Sequence, residues 1–264
     1  MALAQQTYPA IFVAWQDPDS RRFHTVARLL SGIGTEGMYE FAYVQGACAA
    51  KSQGFKPFLA FPEPDRVYRS LELFPFFKNR LMGRDRDDFP TYVAQLGLNP
   101  AEADDMTILA RSGGVRATDK IELFPVPVFD PNLPGYRTTF LVHGLSHFDA
   151  AHRQRAERLR PGERLLFMSD CQNPADPNAI ALRTTDDRLI VGYLPRYLLS
   201  DAWTLVQSCD IFEVYVEQVN PPPAPLQQRV LCRLESCWPD DDFVPFAAKT
   251  YQPIAPDATI LSTR

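Results

Sequence analysis

Residues 165–197 constrain the fold of this chain more than any other stretch. A short apolar run leads into a turn rich in asparagine and proline at residues 173–178, and an extended apolar run resumes at residues 179–182. Proline fixes φ and disfavours helix at the residue before it, while asparagine and aspartate close turns through their own side chains. A polar tip at residues 184–187 precedes a third apolar run. The pattern predicts three short strands joined by tight turns.

The same stretch carries two motifs of a known family. The first reads Asn-Pro-x-Asp-x-Asn-Ala-Ile at residues 173–180, and the second reads Gly-Tyr-Leu-Pro-Arg at residues 192–196. Upstream, His-Gly-Leu-Ser-His-Phe at residues 143–148 fits the strand that opens the family's fold. Over residues 137–239 the chain therefore resembles the HIRAN domain.

The HIRAN resemblance implies a small β-barrel of the OB or SH3 kind that binds single-stranded DNA or DNA ends. In that family aromatic side chains stack on bases, and the aspartate of the first motif helps to hold the terminal sugar. Matched position by position, the implied contacts are His147, Phe148, Asp176, Asn178, Tyr193 and Arg196. Ala175 stands where the family typically has an aromatic residue, so one stacking contact is missing. Asp176 and Asn178 also have a structural use, because they close the turn.

The densest basic cluster of the chain lies just before this stretch. Its members are Arg153, Arg155, Arg158, Arg160 and Arg164. The pattern predicts a helix that ends at the Pro-Gly pair of residues 161–162. Arginine binds phosphate well, so the first three members are predicted nucleic-acid contacts. The alternative is a solvated helix face, partly neutralised by two nearby glutamates.

The N-terminal half predicts a separate α+β module. Apolar runs predict strands at residues 11–15, 24–30, 38–44 and 120–124, and helical spacing predicts helices at residues 71–82, 89–98 and 100–110. These elements predict a hairpin, a third strand, a group of short helices and a final strand.

Residues 8–125 resemble the small N-terminal subdomain of HipA-type kinases. The positions that fit are Phe76, Phe77, Asn79, Leu81 and Arg84, whereas the family's Pro-Glu-Gly is replaced by Met-Gly. The resemblance implies a module that docks a protein partner, with a HipA-type kinase as one candidate and an antitoxin-like role for this chain. It does not extend to a kinase core, because the rest of the chain is HIRAN-like.

Proline density predicts the domain organisation. Residues 125–136 form an extended proline-rich linker between the N-terminal module (1–124) and the HIRAN-like domain (137–239). Residues 240–264 follow as a tail that is acidic and then dotted with prolines. The predicted fold class is α+β, mostly β.

Two further patterns have both a functional and a plain interpretation. Residues 32–37 spell Gly-x-Gly-x-x-Gly, but predicted strands flank them and no kinase base or Mg²⁺-ligand motif follows, so we predict a flexible hairpin loop. His143 and His147 would share one face of a strand, which suits either a metal or a polar surface. No third ligand of fixed spacing accompanies them, so we predict no metal, no cofactor and no catalytic site.

Composition excludes several classes of protein. The 264 residues carry a formal net charge of −5, which argues against a generally basic nucleic-acid coat but allows a local basic groove. No apolar run is long enough to span a membrane, and the N-terminus lacks the features of a signal peptide. Cysteines lie at positions 48, 171, 209, 232 and 237. Their odd number and scatter favour free thiols in a reducing cytoplasm.

These observations predict a non-enzymatic binding protein. The HIRAN-like domain would bind single-stranded DNA or DNA ends, and the N-terminal module would dock a HipA-type kinase or a DNA-processing enzyme, such as one of DNA repair. The alternative is a scaffold in which the HIRAN-like domain contacts protein rather than DNA.

Overall fold

The computed structural model of the chain describes residues 8–20, 22–116, 118–127, 135–222, 224–240 and 242–261. They form two compact units. The first contains the described parts of Met1–Ala94, Leu98–Val126 and Val244–Thr263, and the second contains those of Gln95–Gly97 and Pro127–Phe243. The division at residues 126 and 127 falls within the predicted linker, of which residues 128–134 lie outside the described residues. None of the described helices has the length and apolar character that crossing a membrane requires.

The first unit is built on one antiparallel sheet. Its strands are β1 (Ala10–Gln16), β2 (Phe23–Ile33), β3 (Met38–Tyr43), β4 (Tyr68–Ser70) and β5 (Ile121–Pro125), in the order β4-β3-β2-β1-β5. Its helices are α1 (Gln45–Lys51), α2 (Pro75–Lys78), α3 (Phe89–Gln95) and α4 (Asp105–Ser112). The helix predicted at residues 71–82 is a single turn, because Pro75 begins it and residues 79–82 do not continue it.

Strand β1 is buried on both of its faces. On one face Ile11 and Val13 join a cluster of aromatic and aliphatic side chains. On the other face the ring of Phe12 packs on the ring of Phe246, with 5.5 Å between centroids. Phe246 belongs to the segment that the sequence sets apart as a tail, and its side chain is buried. This segment therefore completes the first unit, since it covers the second face of the sheet.

The buried carboxylate of Glu40 also holds the C-terminal segment. It accepts hydrogen bonds from the backbone N–H and the hydroxyl of Thr259, both at 2.8 Å. Arg69 donates to the same carboxylate from β4 at 3.0 Å. A buried charge needs such partners, so this contact ties the chain end to β3 and β4.

The second unit is a curled antiparallel sheet. Its strands are β6 (Tyr136–Leu141), β7 (Arg164–Ser169), β8 (Ile180–Arg183), β9 (Ile190–Tyr193), β10 (Phe212–Val219) and β11 (Val230–Ser236), in the order β6-β11-β10-β7-β8-β9. The helices are α5 (Ala150–Glu157) and α6 (Leu199–Ser208). His143 and Tyr193 exchange two backbone hydrogen bonds, at 3.0 and 2.9 Å, so β9 meets the chain that leaves β6.

The glycine of the second motif is required by this closure. Gly192 has φ of +135°, and a Cβ atom there would overlap the side chain of Val142 and lie 2.7 Å from the carbonyl oxygen of His143. Any other residue would therefore push the two ends of the sheet apart.

The residues predicted as the opening strand have a different structure. The strand itself is β6, and residues 145–147 form a single 3-10 turn after Gly144, whose φ is +80°. The left-handed glycine ends the extended backbone, so the predicted convergence of His143 and His147 on one strand face is wrong. In the part of the chain that the structure describes, no group of three or more His, Cys, Asp or Glu residues is placed to hold a metal.

Two of the five cysteines form a disulfide, which corrects the prediction of free thiols. Cys209 follows α6 and Cys237 follows β11, and they are bonded to each other. Cys48 and Cys171 are free and exposed, and Cys232 is free and buried. The spacing of the cysteines did not identify the pair, because the two sulfur atoms meet only through the pairing of β10 with β11. A cytoplasmic location stays a prediction.

Candidate nucleic-acid interface

The turn at residues 173–178 is closed by its own side chains. The Asn173 side-chain oxygen accepts from the backbone N–H groups of Ala175 and Asp176, at 3.0 and 3.2 Å. Asp176 Oδ1 accepts in turn from the N–H of Asn178 at 3.0 Å. The turn chemistry predicted from the sequence is therefore the chemistry observed. Asn178 takes part through its backbone N–H and not through its side chain, which differs from the turn-closing role predicted for it.

Arg196 binds the middle of this turn. Its Nε donates to Asp176 Oδ2 at 2.6 Å, and its terminal nitrogen donates to the carbonyl oxygen of Ala175 at 2.5 Å. Both side chains of the ion pair are mostly but not wholly buried. The guanidinium balances the charge of the carboxylate, while each carboxylate oxygen keeps room for one more donor. The pair can therefore accept a hydrogen bond from a hydroxyl group and donate one to a phosphate beside it.

Three rings form a stack beside the turn. Phe148 stacks on Tyr193 with centroids 5.7 Å apart and an interplanar angle of 19°, and on His152 at 5.4 Å and 29°. Gly144 allows this arrangement, because a Cβ atom there would lie 2.9 Å from Cδ2 of Tyr193. Asp149 caps α5 and accepts from the imidazole of His152 at 2.8 Å. That hydrogen bond lowers the pKa of the Asp149 carboxyl.

Asp170 joins the ring stack to the turn. Its Oδ2 accepts from the hydroxyl of Tyr193 at 2.9 Å and from the side-chain amide of Asn173 at 3.1 Å. Burial, and then this carboxylate, raise the pKa of Tyr193. Asp170 is not among the contacts predicted from the sequence. Its position directly after β7 and three residues before Asn173 is a signal that turn chemistry offered.

Arg155 is engaged by carboxylates. Its guanidinium donates to Glu163 at 2.6 Å, to Asp186 at 3.1 Å and to Asp187 at 2.8 Å, and its side chain is only 12% exposed. The aspartates lie at the tip between β8 and β9, so Arg155 fastens α5 to this hairpin. Its geometry favours a structural role over the phosphate contact predicted for it.

Three other predicted contacts, Arg153, Arg158 and His147, have polar side chains that lie outside this set of hydrogen bonds. Arg153 is half-buried, Arg158 is exposed, and neither side chain has a hydrogen bond or ion pair with any residue that the structure describes. His147 is exposed at the end of the 3-10 turn and takes no part in the ring stack. The structure thus brings together Phe148, Asp176, Asn178, Tyr193 and Arg196, whereas His147, Arg153 and Arg158 stand outside their bonded network.

The family comparison matches residues of the second unit. A family model described as the HIRAN domain matches residues 136–236. No curated protein matches the chain. The resemblance of residues 8–125 to HipA-type kinases has no support in these matches and stays a prediction.

Two solved structures are similar to this part of the chain. A protein from Lactobacillus plantarum is 24% identical, with 37% of this chain and 89% of that chain covered and a TM-score of 0.31. The HIRAN domain of human HLTF is 16% identical, with 38% and 74% covered and a TM-score of 0.28. The family match and the two sequence motifs agree on the same residues, and on that basis the chain contains a HIRAN domain at residues 136–236.

Proposed function

We propose that the HIRAN domain of this chain binds single-stranded DNA at strand ends, by binding alone and without catalysis. The HIRAN domain is a module that binds single-stranded nucleic acid. The observation that carries the proposal is the continuous set of hydrogen bonds from Tyr193 through Asp170 and Asn173 to Asp176. It couples a ring stack, which suits bases, to a carboxylate–guanidinium pair, which suits a terminal sugar and its phosphate.

Each part of the proposed site has its own task. Phe148 and Tyr193 offer ring faces, and stacking contributes about 1–3 kcal/mol per base. Asp176 accepts a hydrogen bond from the hydroxyl of the terminal sugar, and Arg196 donates a hydrogen bond to the neighbouring phosphate. Arg153 and Arg158 contact the phosphates that follow.

The charge of the site predicts that the affinity for single-stranded DNA depends only modestly on salt concentration. The phosphate contacts of the proposal are Arg153, Arg158 and Arg196, whereas Arg155 is already held by three carboxylates. Three neutralised phosphates give a log–log slope of about 2 for a single strand. We expect affinity to fall with salt at this slope rather than at the steeper slope of a general basic groove.

Fluorescence anisotropy with a short labelled oligonucleotide tests the proposal. Phe148→Leu should weaken binding about tenfold, because it removes a ring but keeps apolar volume. Tyr215→Leu is the matched control, since Tyr215 is a ring of β10 that bonds to Glu213 outside the site. Absence of binding by the wild-type protein at low salt would rule the proposal out, and the scaffold interpretation would replace it.

A second proposed function is protein docking by the first unit. The side chain of Leu59 is wholly exposed, although the loop that carries it is firmly held. The hydroxyl of Tyr43 accepts from the N–H of Phe58 at 2.7 Å and donates to the carbonyl oxygen of Phe61 at 2.8 Å. A leucine fixed in this way loses little entropy when it enters a pocket of a partner. The HipA-like resemblance makes a HipA-type kinase the first partner to test, and a DNA-processing enzyme the second.

Size-exclusion chromatography with a HipA-type kinase from the same genome tests the docking. Leu59→Asp should abolish the complex, because it would place a charge in an apolar pocket. Ala60→Asp is the control, since the neighbouring residue is also exposed. If the wild-type protein forms no complex, or if both variants behave alike, Leu59 is not the docking residue.

A further inference from the structure

One segment of the chain binds the turn at residues 173–178 at two places. Arg196, at the start of the 3-10 turn Arg196–Leu198, donates to Ala175 and Asp176. Trp203 lies on α6, which continues directly from that turn, and its indole Nε1 donates to the carbonyl oxygen of Asn178 at 3.0 Å. The turn is therefore held at its middle by an arginine and at its end by a tryptophan, which belong to two consecutive helical elements.

Helix α6 is itself a fixed support. Its inward side chains Ala202 and Leu205 are buried in the second unit. The hydroxyl of Tyr136 donates to the buried Asp201 at 3.3 Å. At its C-terminal end, Cys209 is bonded to Cys237 after β11. A helix packed on one face and bonded at its end has little freedom to shift, so the positions of Arg196 and Trp203 are fixed relative to each other.

The bond from Trp203 acts on the carboxylate of Asp176 through one residue. The carbonyl oxygen of Asn178 accepts from the indole N–H of Trp203, and the backbone N–H of Asn178 donates to Asp176 Oδ1. The Ala179 N–H, in the same peptide group as the Asn178 carbonyl, donates to the carbonyl oxygen of Asp176 at 3.0 Å, so two bonds fix this peptide group. If the indole bond is lost, only the bond of Ala179 remains, and the direction in which the Asn178 N–H meets the Asp176 carboxylate is less closely fixed.

We propose that Trp203 is a positioning residue that sets the preference of the site for strand ends. The proposal rests on the binding of single-stranded DNA by this domain. Trp203 acts through the turn, so its loss affects the contact with the terminal sugar. Tyr193 of the ring stack is held in addition by its two backbone hydrogen bonds to His143, so affinity for internal strand stays the same.

The test compares a linear labelled oligonucleotide with the same sequence made circular, which has no end. For the wild-type protein, the ratio of the two affinities measures end preference. Trp203→Phe should reduce this ratio about fivefold, because it removes one hydrogen bond and keeps the ring, while affinity for the circle stays within about twofold. Thr204→Ala is the matched control, since Thr204 is on the exposed side of α6 and bonds only within the helix.

Two further measurements separate positioning from a general structural role. In a double-mutant cycle, Trp203→Phe should have no added effect on end preference in an Asp176→Ala background, because both changes act on one contact. The indole N–H resonance of Trp203, identified by its absence in Trp203→Phe among the three tryptophan signals, should shift when the linear strand is added and stay in place with the circle.

The outcomes distinguish the two proposals. If the wild-type protein binds neither strand, the proposed function fails and the role of Trp203 falls with it. If the wild-type protein prefers the linear strand and Trp203→Phe keeps that preference, only the role of Trp203 is overturned. If Trp203→Phe lowers affinity for the linear and the circular strand equally, Trp203 has a general structural role. That result would overturn its proposed role in end preference as well.

Discussion

The glycine-rich hairpin at residues 32–37 and the polar turn at residues 173–178 differ in what surrounds them. In the hairpin, Gly32 and Gly37 have φ near +70°, and a Cβ atom at either position would meet nothing within 4 Å. In the polar turn, side chains of Arg196 and Trp203 bond to the backbone from elsewhere in the unit.

The difference shows what turns a motif into a site. The three glycines of the hairpin are required by its backbone conformation, since each has a positive φ, and no close approach of another group requires them. The hairpin predicted here is confirmed by the antiparallel pairing of β2 with β3, whereas its flexibility stays a prediction. The polar turn has groups aimed at fixed positions, because distant side chains hold it. A ligand can be recognised only where such groups stay in place.

The largest effect is expected at the disulfide that follows α6, the helix whose Trp203 bonds to the polar turn. Cysteines 209 and 237 are 28 residues apart, so in oxidised protein the double change Cys209→Ser with Cys237→Ser should lower the free energy of unfolding by about 3–4 kcal/mol. Urea denaturation measures the change. Cys48→Ser is the control and should have no effect, since Cys48 is free and exposed.

Thiol titration of the denatured protein provides an independent measurement. Oxidised wild-type protein should contain three free thiols rather than five. A count of five after purification under air would contradict the pairing.

The next effect is expected from the side chains that close the polar turn. Asn173→Ala removes the acceptor of two backbone N–H groups and a donor to Asp170, which should cost about 2 kcal/mol of unfolding free energy. The matched change in the hairpin, Thr35→Ala, should alter stability by less than about 0.5 kcal/mol, because Thr35 is exposed. Thermal denaturation compares the two variants. Similar losses in both would remove the distinction between the turns.

The smallest effect is expected at a third turn, the acidic tip that Arg155 binds. Arg155→Met should lower stability by about 1 kcal/mol, since it leaves three carboxylates close together without their cation. Near the tip, the backbone N–H of Asp187 and then Arg155 lower the pKa of Asp186 from 3.8 to about 2. Arg155→Glu should lower stability further, and it is therefore unsuitable as a test of phosphate binding.

The pH dependence of unfolding tests this contact. A carboxyl whose pKa is lower in the folded state stabilises the fold fully above the unfolded pKa of about 3.8, and this stabilisation is lost as pH falls towards 2. Unfolding free energy of the wild-type protein should therefore decrease over that range, and the decrease should be shallower for Arg155→Met. An identical slope in both proteins would mean that Arg155 does not act on Asp186 in solution.

Local patterns in the sequence determined much of this protein. The first hairpin lies where the alternation of apolar runs and turns predicted it, as β1 and β2. The polar turn and the HIRAN domain follow from the two motifs of residues 173–180 and 192–196. The helix predicted for the arginine-rich segment is present as α5, but it ends at Glu157 and not at the Pro-Gly pair of residues 161–162. Each of these depends on residues a few positions apart, so backbone geometry and hydrogen bonding within the segment fix the outcome.

Contacts between distant residues were decided only by the tertiary structure. Arg155 meets carboxylates 31 and 32 residues away, Trp203 meets a carbonyl 25 residues away, and Glu40 meets Thr259 across 219 residues. The same holds for the disulfide and for the C-terminal segment that covers β1. The sequence offers each of these groups many partners of suitable chemistry. Which partner is met depends on how the strands pair and curl, because burial and direction select one contact from the many that charge and hydrogen bonding would allow.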